Sequence, residues 1–190
     1  SIERRQFFIN QIANLFYGIS LGSILLLAAL GLAITFGLMG VINMAHGEML
    51  MIGAYSTFLI QNFFKSYIPN LLDWNIVAAI PAAFIVSGAV GIIMERSVIR
   101  HLYGRPLETL LATWGISLIL IQTIRLIFGS QNVEVANPSY LSGGIQAFNG
   151  VVLPYNRIAI IMFVILVVIS VLSLLQKTSL GLQVRAVTQN

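Results

Sequence analysis

Apolar runs long enough to cross a membrane recur along this chain, at residues 12–36, 44–64, 76–94, 107–128 and 158–176, separated by shorter polar segments. A helix rises about 1.5 Å per residue, so about 20 apolar residues cross roughly 30 Å of hydrocarbon. Each run therefore predicts a transmembrane helix, and the fold class expected is all-α, a polytopic membrane protein of about five spans. Barrel strands would instead show short alternating segments. Pro81 falls near the start of the third run, where a helix tolerates it better than at its centre. Two connections stand out. Residues 129–156 form a long polar stretch containing "NPSYLSGG", expected as an external loop. Residues 37–47, "GLMGVINMAHG", are a Gly-rich break or re-entrant turn where two spans meet without an ordinary polar loop.

Composition supports the membrane assignment. The chain is 58% hydrophobic and only 8% charged, whereas soluble domains carry about 25% charged residues. The net charge of +4 comes from 10 Lys and Arg against 6 acids. These cations are spread between apolar runs, which fits orientation in a membrane and argues against a nucleic-acid partner. With no Cys, disulfides, thiolate metal sites and thiol catalysis are excluded. Two His and six acids leave little for a metal site or an acid–base enzyme, so neither is expected. The N-terminal "SIERRQFF" precedes an apolar run longer than a signal-peptide core, which reads as a retained span.

Lys and Arg near span ends favour the cytoplasmic side. Arg96, Arg100 and Arg105 lie between spans three and four, and Lys177 and Arg185 follow span five. Five crossings put these groups on one side, taken as cytoplasmic, and place residues 65–75 and 129–156 outside. The same parity puts Arg4 and Arg5 outside, against the rule, unless residues 12–64 do not cross twice.

The polar residues of the break, Asn43, His46 and Glu48, are costly in this apolar setting. A broken helix in hydrocarbon is acceptable where its freed backbone faces protein or water, and transporters bind solute at such breaks. Gly37, Gly40 and Gly47 supply the break, and Asn43 could cap the following helix. Asn43, His46 and Gly47 would share a helical face, with Glu48 pointing elsewhere. The alternative is a tight turn at the cytoplasmic surface, with His46 and Glu48 among headgroups. The fourth span adds Thr109, Thr113, Trp114, Ser117, Gln122 and Thr123. Thr109, Thr113 and Ser117 lie near i+4 spacing, a stripe suited either to helix–helix hydrogen bonds or to lining a path for a small neutral solute. Arg125 is expected to snorkel to the outer interface. Gly18 with Gly22, and Ser87 with Gly91, offer small-xxx-small steps for helix contact.

Three stretches together carry a resemblance. "GLMGVINMAHGEMLMIGAY" resembles the long motif of permease subunits of branched-chain amino acid ABC importers. "TLLATWGISLILIQTIRLIFGSQN" and "TSLGLQVRAVTQN" are similar, more narrowly, to the urea-import branch. The resemblance covers nearly the whole chain and implies a single transmembrane permease domain over residues 1–190, in a bacterial inner membrane, on the path of a small polar solute. Urea or a short amide is the expected solute, with a branched-chain amino acid as the alternative. It implies as partners a second permease subunit, two cytoplasmic ATPase subunits, a periplasmic substrate-binding protein and membrane lipid. ATP would be bound by the partner ATPases, and no cofactor by this chain, which has no Gly-rich phosphate loop.

Residue by residue, the resemblance places Asn43, Ala45, His46, Gly47 and Gly53–Tyr55 in the family's broken-helix motif near the path. Glu48, Thr113, Trp114 and Ser117 join Asn43 and His46 as the expected path residues. Gly181, Arg185 and Ala186, with Gln189 and Asn190, match the start of the segment, 177–190, that couples to the ATPase. Family members continue past the position of Asn190, so this chain is not expected to transport by itself. A passive channel or a non-transporting structural subunit of a larger membrane complex is the competing expectation.

Overall fold

The computed structural model describes residues 2–148, 151–177 and 186. Its elements follow the apolar runs: α1 (Ile2–Met39), α2 (His46–Tyr67), α3 (Asn75–Ser97), α4 (Pro106–Phe128) and α5 (Tyr155–Lys177). Short 3-10 turns at Pro69–Trp74 and Ile99–Leu102 flank α3. Apolarity sets these helices because an amide unpaired in hydrocarbon costs several kcal/mol, and a helix satisfies its own backbone. Span hydroxyls follow the same logic. Ser23, Ser56, Thr57, Thr123 and Ser170 each donate to the carbonyl four residues earlier in their own helix. Pro81 sits within the second turn of α3, which continues through it.

The chain forms two compact units, residues 39–138 and a second made of 1–38 with 139–190. Residues 129–156 contribute to both.

In the 39–138 unit, α2 and α3 run antiparallel. Ser87 donates to the carbonyl of Met49 at 3.0 Å, and a Cβ added to Gly53 would meet Ser87 Oγ at 3.5 Å and Ala83 Cβ at 3.9 Å. Ser87 thus makes the close approach foreseen for it, but opposite Gly53; at Gly91, Gly18 and Gly22 an added Cβ would meet no other element among the described residues within 4 Å. Among the described residues, four segments are long and apolar enough to cross a membrane, containing α1, α3, α4 and α5. α2 falls short because it carries Ser56, Thr57, Gln61 and Asn62. Two of these, Ser56 and Gln61, are buried in protein. Its 22 residues still give about 33 Å, and it packs along α3 while leaving Leu50, Leu59 and Phe63 about half exposed.

α4 runs parallel to α2. Met44 and Glu48 meet Thr113 and Ser117 at one end, and Tyr55 and Phe58 meet Phe128 at the other, with ring centroids 4.5 and 6.2 Å apart. Beyond α4, Gln61 grips the chain at Ala136. Its side-chain amide donates to the Ala136 carbonyl at 2.8 Å and accepts the Ala136 N–H at 3.1 Å. A single buried amide therefore replaces the two backbone partners that a strand neighbour would supply.

In the other unit, the guanidinium of Arg157 at the start of α5 lies 5.3 Å from the Tyr17 ring of α1. The part of the loop before α5 is an antiparallel hairpin, β1 (Gly144–Phe148) and β2 (Val151–Pro154), with an irregularity between Gln146 and Phe148. The two residues between the strands read Asn149–Gly150 in the sequence, the strongest short-range hairpin signal available. Gly144 is compulsory here: a Cβ would fall 2.6 Å from the Leu153 carbonyl oxygen. The Gly143 carbonyl, at φ +96, accepts the Tyr155 N–H and ties the hairpin to α5.

Candidate functional site

The break between α1 and α2 is shorter than the sequence suggests. α1 continues to Met39, so Gly37 is helical, and α2 starts at His46, so Gly47 lies in its first turn. Only Gly40 of the three expected glycines belongs to the break proper, and it adopts φ +64, a left-handed conformation that costs other residues about 1 kcal/mol or more.

From there the chain turns inward. Val41, Ala45, Met94 and Ile99 form a buried apolar cluster, with Met39 and Ile116 packed against it. Asn43, between Val41 and Ala45, is buried as well. Its side-chain oxygen accepts the Ala45 N–H at 2.9 Å. This differs from the capping role expected for it. Ala45 is the N-cap of α2 and has no side chain able to cap, and Asn43 acts two residues upstream as an Asx turn. It satisfies the amide of a residue with no solvent exposure.

α4 provides the other wall. The Met44 N–H donates to Thr113 Oγ1 at 3.2 Å. Thr113 passes its own proton back to the carbonyls of Thr109 and Leu110, at 2.8 and 3.0 Å. Thr109 does likewise to Arg105 and Leu102. One turn beyond Thr113, Ser117 donates to Glu48 Oε1 at 2.7 Å. Glu48, expected to point away from the polar face, is the member of the trio that meets it. Glu48 Oε2 is sealed from solvent and has no donor among the described residues. An uncompensated buried acceptor of this kind costs about 1–3 kcal/mol, and more for a charged group.

Thr113 lies seven residues into α4, about 10 Å along it, while Met94 is one turn from the end of α3. The break thus packs against α3 and α4 close to the ends that carry Arg96, Arg100 and Arg105, with Val41, Asn43 and Ala45 buried and Ile42 and Met44 between them about half exposed. Arg105 and Arg100 are paired there with Glu108 and Glu95, at 3.1 and 3.8 Å. Glu95 also accepts the Tyr103 hydroxyl at 3.2 Å. Partial burial and this acidic partner hold the Tyr103 phenol above its ordinary pKa.

The structure therefore brings Asn43, Glu48, Thr113 and Ser117 together. His46 begins α2 and donates its backbone N–H to the Asn43 carbonyl at 3.3 Å. Trp114 is elsewhere, 53% exposed on a different face of α4 from the buried Thr113 and Ser117. Thr109, fully buried, belongs with the stripe. Gln61 was missed by the sequence reading; the signal was the amide pair Gln61–Asn62 set inside an apolar span. Among the described residues, no group of three His, Cys, Asp or Glu could hold a metal. Of the coupling residues, Gly181, Arg185, Gln189 and Asn190 lie outside the described residues, and Ala186 is exposed.

The family model described as "Branched-chain amino acid transport system / permease component" matches residues 14–190. The chain is 31% identical over 188 residues to the high-affinity branched-chain amino acid transport system permease protein BraD of Pseudomonas aeruginosa, covering 96% of this chain and 60% of that one. It is 34% identical over 145 residues to the LivH permease proteins of Salmonella typhimurium and Escherichia coli, covering 74% of this chain and 44% of theirs. The chain thus spans less than two thirds of these relatives. No solved structure matches it. The helix break, the apolar spans and a match over almost the whole chain lead to one conclusion: this chain belongs to the permease-component family of branched-chain amino acid transport systems.

Proposed function

We propose that the chain forms part of the translocation path of an ATP-binding-cassette importer in a bacterial inner membrane, taking up a small polar solute. The supporting observation is the half-buried break, where a carboxylate, hydroxyls and a turned backbone meet between α2 and α4. Polar groups in a membrane interior are costly and recur along solute paths. Asn43 and Thr113 shape the break, Glu48 and Ser117 face the path, and His46 opens the helix that follows. The proposed partners are a second permease subunit, two ATPases that bind the ATP, and a periplasmic binding protein. The basic end of α3 and α4, with the coupling segment beyond α5, is proposed to face those ATPases in the cytoplasm.

The proposed solute is a branched-chain amino acid, since the relatives matching 96% and 74% of the chain are named for that transport. Urea is the competing solute, carried by the local wording of 109–132. The test is uptake by the complete importer in proteoliposomes, with radiolabelled leucine or urea and with or without internal ATP. ATP-dependent accumulation of leucine is the expected result. Accumulation of urea alone would move the solute to the second reading. Equilibration of either solute without ATP would mean a passive channel, and no uptake a structural subunit.

A further inference from the structure

Among the described residues, the buried side-chain oxygens without a donor are on Ser20, Asn75, Asn156 and Glu48. Glu48 alone of these is a carboxylate. Its situation differs from that of Glu95 and Glu108, which meet Arg100 and Arg105 at the basic end. The nearby hydroxyls are already committed. Ser117 gives its one proton to Oε1. Thr113, a turn away on the same face, gives its proton to α4 carbonyls and its acceptor site to the Met44 N–H. Oε1 is thereby fixed against α4, and Oε2 remains as an acceptor with a set direction and no donor.

Resting on the importer reading above, we infer that Glu48 Oε2 is the acceptor for an N–H donor of the transported solute. That donor is the ammonium of an amino acid or the amide of urea, and Ser117 is the positioning residue that orients the carboxylate. Oε2 is closed to solvent in this structure, so the solute reaches it through a movement that opens the packing around Oε2 while keeping the Ser117 bond to Oε1. A carboxylate suits an ammonium because charge-assisted hydrogen bonds are the stronger class. A neutral amide N–H gains less from the carboxylate, since only the acceptor is charged, and it can still bond an amide oxygen.

The test is uptake of leucine and of urea by the complete importer in proteoliposomes, for wild type, Glu48→Gln and Glu48→Leu, with assembled complex and thermal unfolding measured in parallel. Gln keeps an oxygen that accepts from Ser117 and removes the charge. If leucine is carried, Glu48→Gln should lower kcat/KM about tenfold or more with assembly intact. If urea is carried, Glu48→Gln should cost only about two- to fivefold and Glu48→Leu about tenfold or more. Uptake within about twofold of wild type in both variants would overturn the inference while the importer reading stands. So would uptake falling in proportion to assembled complex, which would make the donor a neighbouring subunit. Absence of uptake by the wild type would overturn both readings.

Discussion

The hydroxyl of Thr113 accepts the backbone N–H of Met44 at 3.2 Å, across 69 residues of sequence. It holds the break between α1 and α2 against the second turn of α4 and donates onward to its own helix. Thr113 has no solvent exposure, so no water replaces it when it is removed. Thr113→Val, nearly equal in volume, should therefore destabilise the unit by about 1–3 kcal/mol. Thr113→Ser, which keeps the hydroxyl, should stay close to wild type. Thermal unfolding in detergent compares them, and equal midpoints for all three would mean the bond contributes nothing.

Asn43 holds the Ala45 N–H from within the same cluster. Asn43→Asp retains the accepting oxygen but buries a charge, and Asn43→Leu loses the oxygen. Both should reduce uptake by the complete importer, with Asn43→Leu lowering stability by about 1–3 kcal/mol. Uptake at the wild-type rate in Asn43→Leu would show that the turn does not depend on its side chain.

Gln61 predicts a local effect away from the break. Its two bonds to Ala136 hold the chain that follows α4. Gln61→Leu should leave both Ala136 groups unpaired and speed amide hydrogen exchange at Ala136, with little change in α4. Gln61→Glu keeps the accepting oxygen and should protect the Ala136 N–H partly. Unchanged exchange in Gln61→Leu would mean that other contacts fix this segment.

Gly144→Ala should disrupt pairing of β1 with β2. The added methyl falls 2.6 Å from the Leu153 oxygen, and the nearest obstacle is backbone, which cannot rotate aside. Proteolysis between α4 and α5 measures this; wild-type resistance in Gly144→Ala would contradict the geometry.

Alkaline pH should act through Tyr103. Its folded pKa lies above the ordinary value, from burial first and then from the Glu95 hydrogen bond. A group raised in the folded state contributes stability in full below its unfolded pKa, near 10, and loses it as pH rises through the folded value. Stability should therefore decline above about pH 10, and Tyr103→Phe should flatten that decline. Parallel curves for the two proteins would exclude this phenol as the cause.

Much of the architecture is legible in the sequence because the membrane imposes a local rule. An apolar run of the right length must be helical wherever it sits, and all five helices lie on the expected runs. The limits of the break were less legible. Gly37 and Gly47 fit a helix end as well as a break, and only Gly40 has the positive φ that marks the turn. The hairpin was hidden by the polarity of its surroundings, although Asn149–Gly150 signalled it.

By itself the sequence determined how many helices form, roughly where they begin and end, and that Asn43, His46 and Glu48 interrupt apolar chain. Helical periodicity reaches only three or four residues, so it places Thr109, Thr113 and Ser117 on one face and says nothing of what faces them. Tertiary structure alone decided that Glu48 turns to Ser117 across 69 residues, that Gln61 reaches Ala136 across 75, and that Ser87 lies opposite Gly53. Those pairings depend on the direction and register in which α2 packs against α3 and α4. That register is settled by burying polar groups away from lipid, a condition that no single helix can meet alone.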